Sequence, residues 1–312
     1  RRVSMKKAKT KAIVCAIAAA LFYALNMPFS KLLLKQVPAA VMAGLLYLGA
    51  GIGIGILFMF QLNKDNSQDL LNRSDLPYVT GMVVLDILAP ISLMYGLSST
   101  SAANASLLNN FEIAATAVIA AILFKEQISK RLWAAIFLVT VSSMLLSFED
   151  LSSFQFSWGS LFVLLAAVFW GFENNCTRSI SNKNTYQIVT IKGLCSGIGS
   201  LIIGFFAGEQ LPDLSLIPAV LFLGFVAYGL SIFLYVRAQK DLGAAKTSAY
   251  YAAAPFAGAL LSFLLLHETL CPQYFAALLM MLGGSAAVTL DTFRTDSTER
   301  TRGQKEPGAG EQ

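Results

Sequence analysis

Four charged side chains lie inside long apolar stretches of the sequence. They are Asp86, Glu112, Glu173 and Lys192. A charge within a membrane-spanning helix costs about 2.5–3.5 kcal/mol on insertion scales, so it normally faces a cavity or a partner. Two interpretations follow. Either the acidic groups bind a ligand or carry a proton, or the charged groups pair with one another and hold helices together.

Glu173 belongs to a polar and aromatic cluster at helical spacing. Trp170, Glu173, Asn174 and Thr177 fall on one face of a helix. A ring, a carboxylate, an amide and a hydroxyl on one face are suited to binding an amphipathic metabolite. The alternative is a glutamate that lies near the end of its helix and reaches the membrane interface.

Glu112 is also one of several polar residues on a single helix face. Asn109, Glu112 and Thr116 are spaced along that face, and lipid offers them no hydrogen-bond partner. The corresponding region of the second half of the chain carries Tyr250 and Tyr251. These residues are candidates for ligand binding, with hydrogen bonding between helices as the alternative.

Asp86 and Lys192 form the candidate structural ion pair. Lys192 is the only basic residue well inside an apolar stretch, and Asp86 lies four residues before Pro90. Pairing is the least costly way to bury both charges, and loss of one partner would cost about 3–5 kcal/mol. The sequence leaves open which acid pairs with Lys192. Asp86, Glu112 and Glu173 are therefore all candidates for proton coupling.

The composition requires a membrane protein. Of 312 residues, 56% are hydrophobic and 13% are charged, against about 25% charged in soluble domains. This excludes a soluble enzyme, a nucleic-acid-binding domain and a disordered chain. Apolar stretches long enough to cross a bilayer predict ten helices, at residues 12–34, 39–61, 78–97, 102–124, 132–148, 158–178, 186–207, 216–237, 244–266 and 273–291.

No metal or cofactor site is predicted. The four cysteines are at least 19 residues apart, and the sequence contains one histidine. Neither pattern matches the ligand spacing of a zinc site. A Walker lysine motif is also absent from the sequence, which argues against direct use of ATP.

Basic residues predict the orientation in the membrane. With the N-terminus inside, 20 of the 23 Lys and Arg residues fall on the inner side, as the positive-inside rule requires. Both termini are therefore expected in the cytoplasm. Thr292 to Gln312 is polar and is predicted to be a disordered cytoplasmic tail.

The two halves of the chain resemble each other. Residues 20–26 match 167–173, and residues 102–106 match 244–248. Each half holds five predicted spans, so the second half enters the membrane from the opposite face, an arrangement typical of transporters. The chain divides into a basic N-terminus (1–11), a first repeat (12–148), a second repeat (158–291) and the tail (292–312).

The repeated stretches resemble the drug/metabolite transporter superfamily, specifically its ten-helix EamA family. The resemblance lies in residues 101–126 and 242–268, each ending in the glutamate of the family motif, Glu126 and Glu268. The family's Glu-Pro motif is split here, with Glu112 in one half and Pro255 in the other. The resemblance implies a ten-helix bundle with a central cavity and transport of small metabolites, commonly export.

The sequence therefore predicts a secondary transporter of a small amphipathic metabolite, such as an amino acid, in the cell (inner) membrane. The alternatives are an integral-membrane enzyme acting on lipid and a non-transporting structural protein. Its partners would be the substrate and the bilayer, without nucleic acid, and a homodimer is left open. The candidate substrate-binding residues, expected near the midplane between the repeats, are Asn26, Asn109, Glu112, Trp170, Glu173, Asn174, Tyr250 and Tyr251.

Overall fold

The computed structural model describes residues 2–62, 69–124, 129–150, 155–242, 250–268, 270 and 272–303. These residues are helical, apart from short connections and one two-stranded hairpin of β1 (Phe148–Asp150) and β2 (Gln155–Phe156). The helices are α1 (Arg2–Ala24), α2 (Asn26–Leu33), α3 (Ala39–Leu62), α4 (Leu76–Ser99), α5 (Ala102–Leu108), α6 (Phe111–Phe124), α7 (Lys130–Ser147), α8 (Trp158–Ser179), α9 (Thr185–Phe206), α10 (Ile217–Gly224), α11 (Ser231–Leu242), α12 (Ala254–Leu266) and α13 (Pro272–Gly303). A 3₁₀ turn (Arg73–Asp75) precedes α4, and a π-helical segment (Phe225–Leu230) joins α10 to α11.

The helices agree with an all-helical, multi-pass membrane protein. Each predicted span coincides with helix over its described residues, within a few residues at its ends. The segments long and apolar enough to cross a membrane are Thr10–Leu33, Ala39–Phe60, Arg73–Ser99, Ala102–Leu123, Thr185–Phe206 and Ile217–Ala238, with Trp133–Ser147 and Ala254–Leu266 as shorter apolar helices. The count of ten spanning helices stays a prediction.

Several predicted spans are interrupted near their middle. Pro28 has no N–H to bond to Ala24, and α2 begins after a turn at Leu25. The fourth span breaks at Asn109, where α5 ends. The eighth changes hydrogen-bond register in the π-helical segment, a feature found often at functional sites. These interruptions matter because they fall beside the polar residues of the interior.

Close packing of glycines joins the two halves of the chain at the α3–α9 contact. A Cβ atom added to Gly193 of α9 would lie 2.3 Å from the backbone N of Gly51 in α3. One added to Gly51 would lie 2.5 Å from the N of Leu194. Only residues without side chains allow this approach of two backbones, which is common in membrane helix pairs.

Polar contacts join helices at both ends of the bundle. At the predicted outer end, the Lys31 ammonium donates to the carbonyls of Leu97 at 2.6 Å and Thr100 at 2.7 Å, close to the end of α4, where a cation is favourable. At the predicted inner end, the Lys183 ammonium lies 2.9 Å from the Asp69 carboxylate. Segments that the sequence predicts on the same side of the membrane are thus in contact with each other.

The C-terminal segment differs from the prediction. The sequence predicts disorder from residue 292 to 312, but α13 continues through the first part of this segment to Gly303. Once a helix has formed, each added residue gains a hydrogen bond, so the apolar start of α13 extends into polar residues. At the other terminus, α1 begins at Arg2, within the predicted basic segment. Glu126 lies outside the described residues.

Candidate functional site

Lys192 lies between two buried carboxylates in the interior of the bundle. Its ammonium is 3.1 Å from Asp86 Oδ2 on α4 and 2.8 Å from Glu173 Oε1 on α8. The exposed fraction of the three side chains is 8% for Lys192, 0% for Asp86 and 2% for Glu173. Both acids therefore contact the single ammonium, and this charged triad links helices of the two halves.

Neutral hydrogen bonds complete the charged triad. The hydroxyl of Tyr47 on α3 donates to Asp86 Oδ1 at 2.9 Å. Trp170 Nε1 on α8 donates in turn to the Tyr47 hydroxyl at 3.4 Å. On the other side, the Thr177 hydroxyl donates to Glu173. Buried ionic groups need such additional bonds, because the ion pair alone does not offset the cost of desolvation.

Five tyrosines form a contact network between the halves, which we name the tyrosine cluster. The ring centroids of Tyr23 and Tyr228 are 5.8 Å apart, and those of Tyr47 and Tyr228 are 5.1 Å apart. Tyr251 lies 6.0 Å from Tyr23 and 4.9 Å from Tyr235. Tyr23 and Tyr47 come from the first half and the other three from the second. These ring contacts extend from Tyr47 on α3 to Tyr251, just before α12, and join the two halves.

Two asparagines attach the helix breaks to the tyrosine cluster. Asn26, the first residue of α2, donates to the Tyr228 hydroxyl at 2.9 Å and accepts from the Ser30 hydroxyl at 2.8 Å. Asn109, at the end of α5, donates to the Tyr23 hydroxyl at 3.2 Å. Its Oδ1 atom is buried without a hydrogen-bond partner among the described residues. The breaks thus place amide groups in the interior.

Glu112 stands apart from the charged triad. Its Oε1 accepts a hydrogen bond from Asn174 Nδ2 at 2.7 Å, and the same amide lies 3.3 Å from the Thr116 hydroxyl. Among the described residues, no ion pair of Glu112 is found within 4 Å. Its backbone N–H bonds to the carbonyl of Asn109, whose side chain donates to Tyr23 of the tyrosine cluster. Glu112 is therefore a carboxylate beside the tyrosine cluster with only neutral hydrogen-bond donors.

The predicted site residues meet only in part. Asn26, Asn109, Trp170 and Tyr251 are joined through the tyrosine cluster. The other predicted residues fall into two separate contacts. Glu173 contacts Lys192, and Asn174 contacts Glu112. Tyr250 is half-buried just before α12. Tyr47 contacts both Asp86 and Trp170 but is not among the residues predicted from the sequence. Its signal in the sequence is a tyrosine inside an apolar span.

One cavity lies at the predicted outer end, away from these residues. It encloses about 390 Å³. Its polar lining comes from both halves and includes Lys31, Asn104, Ser157 and Tyr274. No predicted substrate-binding residue lines it. This cavity is therefore separate from the predicted site.

At the predicted outer end, carboxylates of the second half accept hydrogen bonds from helix N-termini of the first half. Glu268 accepts from the backbone N–H groups of Ala102 at 2.7 Å and Ala103 at 2.9 Å, at the start of α5. Glu209 accepts from the N–H of Val41, at the start of α3, at 2.9 Å. A carboxylate at a helix N-terminus is favourable because it meets unpaired N–H groups and the positive end of the dipole.

Among the described residues, no group of three His, Cys, Asp or Glu side chains is placed to hold a metal ion. At the predicted inner end, the hydrogen bond that Lys183 donates to the Asp69 carboxylate raises the pKa of Lys183 above its ordinary value of 10.5, and the charge of Asp75 adds to this effect. Lys183 therefore stays charged in the folded protein throughout the physiological pH range.

Comparisons with known proteins agree with this architecture. The EamA-like transporter family matches residues 10–148 and again residues 157–290. An uncharacterized transporter of Methanothermobacter thermautotrophicus is 24% identical over 290 residues, covering 87% of this chain and 84% of the relative. The uncharacterized transporter YyaM of Bacillus subtilis is 26% identical over 197 residues, covering 60% of this chain and 65% of the relative. A solved crystal structure with 18% identity has the same fold, with a TM-score of 0.67 over 91% of this chain and 97% of that chain. The chain belongs to the EamA-like transporter family.

Proposed function

We propose that the protein is a secondary transporter that exports a small amphipathic metabolite, such as an amino acid, across the cytoplasmic membrane by alternating access. One observation carries the proposal. A polar interior, built from the charged triad and the tyrosine cluster, is shared between the two halves of the chain. Buried polar groups at such an interface are expensive within a membrane, and they are typical of substrate and ion pathways.

The proposed architecture is two five-helix repeats of opposite orientation, with both termini in the cytoplasm. Two matches to one family in a single chain support the repeat. The excess of basic residues on the predicted inner side supports the orientation. The substrate then binds between the repeats near the midplane, and each repeat supplies part of the site.

The polar contacts at the two ends suggest how access alternates. Glu268 and Glu209 fasten helix N-termini at the predicted outer end. Lys183 and Asp69 join the two halves at the predicted inner end. Opening one end requires breaking one set of contacts while the other set holds.

Glu112 is the proposed proton carrier. Asp86 and Glu173 each have the Lys192 ammonium beside them. Glu112 has an amide and no cation beside it. An unbalanced charge in the membrane is costly, and binding a proton removes that cost. We therefore place proton coupling at Glu112 rather than at Asp86 or Glu173. The proposed activity involves no chemical conversion and no cofactor.

The test is a ligand screen followed by transport. The purified full-length protein is screened against metabolites by thermal shift, and each hit is assayed for flux in liposomes. We expect at least one hit to cross protein-containing liposomes faster than empty ones, with saturable kinetics. Saturable flux distinguishes a transporter from a leak. Hits that bind without crossing would contradict the proposal.

A further inference from the structure

The interior of the bundle has more carboxylates than cations. Asp86, Glu173 and Lys192 are buried there, and Glu112 is half-buried. Lys192 is shared by Asp86 and Glu173, which leaves Glu112 with a neutral amide as its hydrogen-bond donor. With all three carboxylates ionised, they exceed the single ammonium by two charges, and Glu112 is the one without a cation within 4 Å among the described residues. An added positive charge is therefore favourable beside Glu112.

A second hydrogen-bond acceptor lies one helical turn from Glu112. The side chain of Asn109 is 4% exposed, and its Oδ1 atom finds no donor among the described residues. A buried acceptor without a donor costs about 1–3 kcal/mol. The backbone N–H of Glu112 bonds to the carbonyl of Asn109, so the two residues belong to the same turn. The amide N–H of the same Asn109 donates to the Tyr23 hydroxyl. Two acceptors on one helical turn thus lie next to a residue that is bonded to the tyrosine cluster.

Aromatic rings supply the remaining wall of this position. The Tyr23 hydroxyl accepts a hydrogen bond from Asn109, and the Tyr23 ring contacts the rings of Tyr228 and Tyr251. The face of an aromatic ring attracts a cation, by about 2 kcal/mol or more when the pair is removed from water. A carboxylate, a free amide oxygen and several ring faces are together the chemistry that recognises an ammonium group.

We propose that the substrate is a small organic cation, with a primary ammonium group on an apolar body. The ammonium N–H groups bond to the Glu112 carboxylate and to Asn109 Oδ1, and its charge lies against the tyrosine rings. This inference rests on the proposed transport function and narrows its substrate class. An amino acid zwitterion fits less well, because the one cation described in the interior, Lys192, already binds two carboxylates.

Binding of the cation also has a structural consequence. The rings of Tyr23 and Tyr251 are in contact, with centroids 6.0 Å apart. The ammonium reaches a position between them only when they separate. Tyr23 is on α1 in the first half, and Tyr251 precedes α12 in the second half. Substrate binding is thereby linked to a relative movement of the halves.

The test uses four ligands that share a hydroxyphenyl ring and differ in charge. They are tyramine (cation), tyrosine (zwitterion), tyrosol (neutral) and 4-hydroxyphenylacetate (anion). Their dissociation constants for the full-length protein are measured at pH 7 by calorimetry in detergent. We expect tyramine to bind about tenfold or more tightly than each of the other three, a difference of about 1.4 kcal/mol.

Variants locate the binding position. Glu112→Gln keeps the size of the side chain and an oxygen for Asn174, and should weaken tyramine about tenfold while leaving tyrosol unchanged. Asp213→Asn changes an exposed carboxylate in the α9–α10 connection and should change neither ligand. Should Glu112→Gln fail to fold, a pair of variants at Tyr251 tests the same binding position. Tyr251→Phe keeps a ring and should retain tyramine, whereas Tyr251→Leu should weaken it.

Each outcome decides between the substrate class and the transport function. If tyrosine, tyrosol or the anion binds as tightly as tyramine, or none of the four binds at concentrations up to about 10 mM, the substrate class is wrong. Flux of all four ligands in liposomes then reports on function separately. Saturable flux of tyrosine with weak tyramine binding would overturn this inference and leave the transporter intact. Tight tyramine binding without flux would retain the site and overturn transport.

Discussion

Lys192 is the residue on which the two interior carboxylates depend. Its ammonium contacts both Asp86 and Glu173, and all three side chains are buried. Removing a neutral hydrogen bond from this network would leave the ammonium in contact with both carboxylates. Removing the ammonium would leave two carboxylates side by side without a cation. The stability of the interior is therefore more sensitive to Lys192 than to any one hydrogen bond around it.

Substituting Lys192→Met should strongly destabilise the folded protein. Loss of one member of a buried ion pair costs about 3–5 kcal/mol, because the remaining charge is left unpaired. The measurement is thermal unfolding of the purified protein in detergent. A variant as stable as the wild type would mean that the carboxylates do not depend on Lys192.

Lys183→Met is the matched control at the predicted inner end. Lys183 itself is buried, but its nearer partner Asp69 has a 71% exposed side chain, and Asp75 lies farther away, at 3.8 Å. A pair with one member exposed to water contributes less than one with two buried carboxylates. Because the pKa of Lys183 is raised in the folded state, this contribution is present in full at pH 7 and is lost only as pH rises through the raised pKa. At pH 7, Lys183→Met should therefore lower the unfolding temperature, but by less than Lys192→Met.

The sequence identifies the buried charges but not their arrangement. Asp86, Glu112, Glu173 and Lys192 stand out because each interrupts an apolar stretch. Their pairing depends on how α4, α8 and α9 rotate against one another, and hydrophobic periodicity does not determine that rotation. Tyr47 is harder to predict still, since a tyrosine is compatible with both the interior and the lipid interface.

At the scale of the helices, interruptions position the interior polar groups. Asn26 begins α2, Asn109 ends α5 and Tyr228 lies in the π-helical segment. The composition predicts the ends of the spans within a few residues, because apolar length is set by the bilayer. Of the breaks, only that near Pro28 has a clear sequence signal. The others arise from hydrogen-bond register, which hydropathy does not encode.

The α3–α9 contact gives a prediction about helix packing. Gly193→Ala would place a Cβ atom 2.3 Å from the backbone of Gly51, so the two helices must move apart. Such overpacking costs about 1–3 kcal/mol. Gly283→Ala in α13 is the control, because its nearest neighbour would be a side-chain atom at 3.9 Å. Thermal unfolding should show a lower midpoint for Gly193→Ala alone, and equal midpoints would refute the close contact.

For the whole molecule, the orientation of the helices is open to a direct test. The charge asymmetry and the grouping of helix ends both favour ten spans with the termini inside. A reporter fused after Asp150 or Asp213 should therefore be external, and one fused after Lys130 or Lys183 should be cytoplasmic. Alkaline phosphatase and green fluorescent protein fusions provide the two readouts. The opposite pattern at any of these positions would overturn the span count.

The internal repeat is the part of the whole-molecule architecture that sequence comparison within the chain makes visible. The match of residues 102–106 with 244–248 predicts related halves, and the EamA-like family matches each half separately. The repeat does not predict how the two halves contact each other. Contacts such as that of Tyr47 with Tyr228 join positions that do not correspond between the repeats. The interior site arises from that interface and so belongs to neither repeat alone.

In the proposed mechanism, energy coupling involves the whole molecule, because a proton must pass from one side of the membrane to the other. Glu112 is the interior carboxylate without a cation among the described residues, whereas Asp86 and Glu173 share Lys192. Ionised Glu112 is costly in the closed bundle. Contact with water at an open end removes that cost, so the proton is released there. Glu112→Gln cannot release a proton, yet it preserves the hydrogen bond to Asn174.

We therefore expect Glu112→Gln to fold normally and to lose the dependence of transport on a pH gradient. Flux is measured in liposomes at saturating substrate, with and without an imposed gradient, with Asp213→Asn as the control that keeps the dependence. Asp86→Asn should differ from both, because disturbing the charged triad lowers stability or expression. Wild-type flux that ignores the gradient would show a facilitator. Gradient-driven flux retained in full by Glu112→Gln would move the proton carrier to Glu173, the next interior carboxylate along the same interface.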